Sequence, residues 1–409
     1  MRAFIIVFVL TFLSSCQETK KESVTMKEDV YVLADDNFEG REIATLGERL
    51  AAEYIVQRFT DLELQPKGTD GYYQNFSFKP STNPHEKAAI VEKDEDSLAT
   101  GMNVVGYIDN KAETTVVIGA HYDHLGYGGS GSLYREGEAI HNGADDNASG
   151  VAVLLDLAGR LNAPEQPSNN NYLFIAFSGE ETGLLGSNYF VKNPTIDTKK
   201  VNYMLNMDMV GRLNEEKTVA VHGVGTSPIF KQTLFANKDS LNIAEHESGI
   251  GPSDHTSFYL ADIPVLHFFT GQHTDYHKPS DDSEKLNYEG MQVISDYIYN
   301  IISDLDNDDR LEFRKTKNES EAVPDFKVTL GVVPDYLFTG KGMRIDGVSE
   351  DRPAQNSGMQ KGDVVVKMGE HPVEDMMSYM KNLSMFEKGE TVKVVIDRNG
   401  EEITLDVTF

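Results

Sequence analysis

The 409-residue sequence holds a single cysteine, Cys16, which excludes a disulfide within the chain. Positive charge is scarce: 37 Lys and Arg stand against 66 Asp and Glu, for a formal net charge of −29. A phosphate backbone would be repelled rather than gripped, so nucleic-acid binding is excluded as the main task. No G-x-x-x-x-G-K pattern occurs, and the glycine-rich stretches therefore read as turns, not as a phosphate cradle. The apolar run at residues 3–13 falls well short of the about 20 residues that a membrane-spanning helix needs. What is present points to packed structure: 39% of residues are hydrophobic, and 18 Tyr and 20 Phe argue against disorder. The length is too great for one ordinary core, and two globular units are expected.

The N-terminus accounts for the cysteine. Arg2, the apolar run and Leu13-Ser14-Ser15-Cys16 read as a secretory leader with small residues before the cut. Leu-Ser-Ser-Cys resembles a bacterial lipobox. That resemblance implies loss of residues 1–15, a lipid on Cys16, and a polar tether at 16–28. It places the protein in the bacterial cell envelope outside the cytoplasm, held to the membrane by lipid, and Gln17 after the cysteine resembles outer-membrane sorting.

From residue 29 to 305 helical and strand-like segments alternate. Residues 46–62 carry Leu50, Tyr54, Ile55, Phe59 and Leu62 at helical spacing. Apolar runs at 116–120, 172–177, 201–207 and 263–269 do not alternate with polar residues, as expected of strands buried on both faces. Helices are expected between them at 149–161, 184–191 and 227–237, with 288–305 closing the unit. The fold class is α/β: a helix-flanked, mixed, mainly parallel sheet. Residues 306–324 are charged and poor in bulky apolar side chains, as in a linker. Residues 325–409 form a small β-rich unit, with strands expected at 327–333, 342–348, 363–368, 391–397 and 402–408 and a helix at 373–383.

Side chains with ligand chemistry stand where the apolar runs end. The first run closes on His121-Tyr122-Asp123-His124, the second is followed by Glu180-Glu181, the third by Asp208, and the fourth leads to Asp275-Tyr276-His277. Between the first two, the segment from Gly143 through Asp145-Asp146-Asn147 to Gly150 opens a helix. Ligands of open α/β sheets gather beyond the carboxyl ends of the strands, so these clusters are expected to converge. In His-x-Asp on a strand, residues i and i+2 point the same way, so Asp123 is expected to hold one nitrogen of His121 while the other meets a metal. The adjacent Glu180 and Glu181 point apart, which suits one as ligand and the other as general base. Nitrogen and oxygen donors without thiolates favour zinc or another first-row divalent ion. Five ligands exceed the needs of one zinc with an open position, which predicts two ions about 3.5–4 Å apart sharing a carboxylate.

In this order the segments GAHYDHLG, NGADDNASG, SGEETGLLGS, LNMDMVGR and TDYHKPSDD resemble the secreted di-zinc aminopeptidase family, over about residues 30–305. Wider relatives of that family include glutamate carboxypeptidases, glutaminyl cyclases and the transferrin receptor. The resemblance implies that His121 and Asp208 hold one zinc ion and Glu181 and His277 the other. It makes Asp146, three residues before Ser149, the bridge, with a cis peptide after it. Glu180 becomes the base, Asp123 the support of His121, and His255 of the Ser253-Asp254-His255 motif a pocket-lining or a structural residue. Tyr276, beside His277, reads as a donor to the developing oxyanion or as a packing residue. The implied activity is release of N-terminal residues from peptides. Carboxypeptidase or glutaminyl cyclase chemistry, or a non-catalytic receptor, are the alternatives, and all six metal-site residues being present weighs against the last.

Residues 325–409 resemble a PDZ domain of the bacterial protease type. Leu330-Gly331-Val332 stands where such domains have the loop that catches a C-terminal carboxylate, which implies a C-terminal peptide ligand added as a strand beside Val332. Pro334 shortens the strand able to pair.

Overall fold

The computed structural model describes residues 24–80, 89–90, 98–129, 131–162, 168–306, 309–316, 327–335, 338, 340–348 and 352–409. The leader and Cys16 lie outside the described residues.

The first unit is built on a ten-stranded sheet: β1 (Gln65–Pro66), β2 (Tyr73–Lys79), β3 (Ala89–Ile90), β4 (Ala99–Ile108), β5 (Thr114–His121), β6 (Asn170–Phe177), β7 (Val201–Met207), β8 (Thr218–His222), β9 (Asn242–His246) and β10 (Val265–Phe269). The order is β3-β2-β4-β6-β5-β7-β10-β8-β9, with β1 beside β4. The four central strands β6, β5, β7 and β10 run parallel, while β4 and β8 flank them antiparallel.

Strand alternation explains how both faces are buried. Val116, Ile118 and Ala120 of β5 enter the large core under the helices α1 (Met26–Leu33), α2 (Leu46–Asp61), α3 (Gly150–Leu161), α5 (Phe230–Asn237) and α7 (Tyr288–Leu305). Val117 turns instead to the opposite core, which Phe190 of α4 (Leu185–Lys192) and Phe258 of α6 (His255–Tyr259) cover. Such a helix-flanked parallel centre is what apolar runs without alternation require.

Register decides where the polar residues land. His121 pairs with Phe177, and Met207 with Phe268, so β5, β6, β7 and β10 end level. The chain leaves β5 for β6 on one side and later returns to β7 on the other, which makes the carboxyl edge of β5 the point where the order reverses.

The second unit has its own core, with Leu330, Ile345, Val365, Val394 and Val407 at its centre. Its sheet joins β11 (Val332–Pro334), β12 (Met343–Val348), β13 (Val364–Met368), β14 (His371–Pro372), β15 (Thr391–Arg398) and β16 (Glu401–Thr408), with helices α8 (Pro353–Asn356) and α9 (Met376–Leu383). The strand expected at 327–333 forms only from Val332. Gly331 turns with φ +76°, and Val328 and Leu330 before it are core residues. Residues 309–316, within the expected linker, lie along the first unit: Leu311 donates its N–H to Asn202 (2.8 Å), Arg314 to the Thr226 carbonyl (2.8 Å), and Phe313 packs on Tyr259.

Candidate metal centre

Five loop segments meet at the carboxyl edge of the parallel strands. His121 Nε2 lies 3.3 Å from Asp208 Oδ1 and 3.4 Å from Asp146 Oδ1. His277 Nε2 lies 3.2 Å from Glu181 Oε2 and 3.3 Å from Asp146 Oδ2. Asp146 therefore stands between two donor groups and presents one oxygen to each. Asp145 faces elsewhere: it accepts the Gly211 N–H (2.6 Å) and meets His273 Nε2 (3.1 Å).

The supports of this arrangement are local and specific. The peptide Asp146-Asn147 is cis. The Asn147 side chain donates to the carbonyls of His121 (3.2 Å) and Met207 (3.0 Å) and accepts the N–H groups of Gly150 (3.0 Å) and Met209 (3.1 Å). It thus ties the end of β5 to the end of β7 beside the ligand turn. Asp281 accepts the N–H groups of Asp145 (2.9 Å) and Asp146 (3.0 Å). Arg41, fully buried, binds the carbonyls of Tyr122 (2.7 Å), Leu33 (2.6 Å), Asn142 (2.6 Å) and Gly143 (2.9 Å).

Asp123 acts differently from expectation. The Nδ1 of His121 meets the backbone carbonyl of Asp123 at 3.2 Å, and its carboxylate is farther, at 3.7 Å. That carboxylate accepts the N–H groups of Glu180 (3.1 Å) and Glu181 (3.4 Å). Asp123 thus anchors both the histidine and the glutamate pair, through different atoms.

Burial and charge set the protonation of the cluster. Burial pushes the Glu180 carboxyl well above the ordinary range; the charge on His121 opposes this, while Asp208, Glu181 and Asp254 add to it. Burial works against the charge of Glu181 too, yet His277 and His124 hold it well below the usual value. Asp208 is likewise lowered, with His121 outweighing burial. His121 and His277 are raised despite burial by their carboxylate neighbours.

A cavity of about 80 Å³ opens over this cluster. Glu180, the donors named above and Tyr276 line it, and Met209 and Phe269 give it an apolar wall. His255 does not line it. Its ring is stacked behind His267 at 4.4 Å and 6°, and the wall there is formed by His267 and His222. Neither of these two histidines is a candidate from the sequence; His124, which ends the first run without an assigned role there, has its Nδ1 2.7 Å from Glu181. Arg212 pairs with Asp275 (3.0 Å) and Asp281 (3.5 Å) behind the ligands.

The donor set fits divalent ions of the zinc type. Two groups of nitrogen and oxygen atoms, His121 with Asp146 and Asp208, and His124 with Asp146 and Glu181, each lie within 4.8 Å of one another, and both contain Asp146. His277 faces the second group. Among the described residues there is no thiol to select a softer metal.

Such a cluster at the carboxyl edge of a helix-flanked sheet is a candidate metal centre. Residues 103–302 match the model of peptidase family M28, and residues 311–409 that of a PDZ domain. The chain thus carries a unit of peptidase family M28 followed by a PDZ domain. Among its relatives are a probable leucine aminopeptidase of Trichophyton verrucosum, 33% identical over 44% of this chain and 48% of that protein, and aminopeptidase YwaD of Bacillus subtilis, 29% identical over 52% and 46%. The matched stretch spans about half the length of these relatives. The fold is similar to that of LapA aminopeptidase of Legionella pneumophila, with TM-score 0.53, 20% identity and coverage of 69% of this chain and 72% of that one. It is also similar to a glutaminyl cyclase of Porphyromonas gingivalis, with TM-score 0.54, 15% identity and coverage of 68% and 97%. Among the described residues, no helix is long and apolar enough to cross a membrane.

Proposed function

We propose that the protein is a zinc-dependent aminopeptidase that releases N-terminal residues from peptides, with the peptidase unit at residues 29–305. The observation that carries this is the convergence of His121, Asp208, Glu181 and His277 around Asp146, with Glu180 lining the same cavity. His121 and Asp208 would hold one zinc ion, Glu181 and His277 the other, and Asp146 both. When bound, the ions supply an activated water and polarise the scissile carbonyl.

The rest falls to the chain's own residues. Glu180 takes a proton at its carboxylate and delivers it to the leaving amine, a role suited to a carboxyl whose burial raises its proton affinity. Glu180 and Asp208 together draw the substrate's free ammonium into the cavity. Met209 and Phe269 offer an apolar wall to the N-terminal side chain. Curated relatives named as aminopeptidases support this reading.

The test is hydrolysis of free and N-acetylated peptides by the zinc-loaded chain, by a chelated control and by Glu180→Gln. Chelator-sensitive cleavage confined to free N-termini is expected, and Glu180→Gln is expected to lose at least about a thousandfold in kcat with metal still bound. Equal cleavage of acetylated peptides would overturn the proposal. Cyclisation of N-terminal Gln without hydrolysis would move it to the cyclase reading.

A further inference from the structure

Beside the metal cavity lies a second one of about 160 Å³ whose wall is shared by the two units. Leu133, Gln272 and Tyr276 come from the peptidase unit, and Gly331, Val332 and Arg352 from the PDZ domain. Gln272 and Tyr276 line the metal cavity as well, so the two spaces lie one side chain apart. The peptidase side of this wall is tied to a candidate ligand: Leu133 donates its N–H to the carbonyl of His277 (2.9 Å), and the Tyr276 ring stacks on that of His277 at 3.8 Å.

On the PDZ side the cationic group of the wall is Arg352. Gly331 turns the loop at φ +76°, and its N–H is occupied by Thr329 Oγ1 (3.1 Å). The carbonyl of Leu330 is taken by the Ala354 N–H (2.8 Å), while the Leu330 N–H meets no backbone acceptor among the described residues. Arg352 lies directly against this turn: a Cβ on Gly331 would sit 2.1 Å from its Cβ. Its guanidinium suits bidentate capture of a carboxylate. The pairing strand β11 has only three residues and ends at Pro334, which cannot donate to a ladder. The loop can therefore hold the end of a peptide but cannot zip along a long one, and the wall of Tyr276 and Leu133 steers what it holds toward the metals.

We propose that this second cavity is the carboxyl-terminal subsite of the peptidase. The PDZ loop and Arg352 hold the free C-terminal carboxylate of the same short peptide whose N-terminus is cut. This rests on the aminopeptidase reading above. An extended chain advances about 3.3–3.6 Å per residue, and the two cavities share Gln272 and Tyr276 in their walls, so the subsite is one for short peptides, and three to five residues is the range to be tested. The PDZ domain then measures substrate length, and a separate protein partner is not its ligand.

The experiment compares Leu-Ala-Ala-Ala with its C-terminal amide, within a series of two to ten residues, on the zinc-loaded full chain. Affinity for the acid and the amide is measured in parallel by calorimetry on Glu180→Gln. For three to five residues the acid is expected to exceed the amide at least about tenfold in kcat/KM and in affinity. In Arg352→Gln the ratio falls toward one, a comparison that each variant makes against itself. A ratio near one at every length, a ratio untouched in Arg352→Gln, or decapeptides binding as tightly as tetrapeptides would overturn the subsite. Acid preference in binding with no hydrolysis of any peptide sinks the aminopeptidase reading and leaves the subsite standing; hydrolysis without acid preference does the reverse.

Discussion

Arg41 gives the sharpest test of how the site is held. It is fully buried, and its guanidinium binds four carbonyls on three chain segments. Two of those segments carry candidate ligands: Tyr122 follows His121, and Gly143 opens the turn to Asp146. Burial lowers the Arg41 pKa to about 10, with Asp146, Asp123, Asp281 and Glu181 opposing it, so the group stays charged at neutral pH. Arg41→Met keeps the bulk and removes all the donors. A hydrogen bond to a charged group contributes about 1.5–3 kcal/mol, but four are not additive, and removing the charge also removes its desolvation cost. The net loss is expected at about 3–5 kcal/mol, the range for breaking a buried charged network. For a unit of this size that is roughly a 6–15 °C drop in Tm. Differential scanning calorimetry of the zinc-loaded chain measures it, with exposed Arg49→Met as a control expected within about 0.5 kcal/mol of the parent. Zinc affinity should fall along with Tm, because both ligand segments lose a brace. A melting point within about 2 °C of the parent would refute the view that Arg41 holds these loops.

Metal content separates the roles of the ligands: His121→Ala should lose one zinc ion per chain by elemental analysis, while Asp146→Asn should lose more than one, and an Asp146→Asn chain that keeps two would break the shared-carboxylate scheme. Chelation should lower Tm by several degrees, because ligand binding stabilises the folded state by mass action, and readdition of zinc should restore it. Glu48 is fully buried and accepts the N–H of Met102 (3.2 Å), the Ala44 N–H and the Ser178 hydroxyl. Burial nevertheless raises it to about 7 from 4.5. The folded chain then holds a proton that the unfolded chain has released, so stability falls as pH rises from about 4.5 to 7, by roughly 3 kcal/mol in all. Glu48→Gln should remove that slope, and the Tm difference between Glu48→Gln and the parent should move in favour of Glu48→Gln from pH 5 to 8; a constant difference would show that Glu48 does not titrate there.

The central sheet was legible because its strands are buried on both faces and read as unbroken apolar runs. The helices announced themselves by period, and Tyr288–Leu305 was found to the residue. The flanks were not legible. β4 and β8 run antiparallel to the centre, and no local pattern says which neighbour a strand will choose. β11 was overextended for a related reason: Val328 and Leu330 have the composition of a strand, but Gly331 lets them turn into the core before pairing begins.

The same distinction separates the candidate residues that the sequence nominates from those that only the fold brings to the cavity. His121, Asp146, Glu181, Asp208 and His277 carry their chemistry in their type and their place after a strand, so sequence is enough to nominate them. His222 and His267 reach the cavity only because β8 and β10 pair with these two residues opposite each other, a register fixed by the sheet as a whole. Arg41 and Glu48 are invisible for another reason. A lone charged residue is by default assigned to the surface, and only the assembled fold surrounds each with the carbonyls or N–H groups that make its burial tolerable. Tyr276 stands between the two cases. Its neighbour His277 marks it as close to the metals, but its position between two cavities depends on how the PDZ domain meets the peptidase unit. Ligand chemistry is thus written locally in this chain, while the bracing of the ligands and the length of the cleft are properties of its topology.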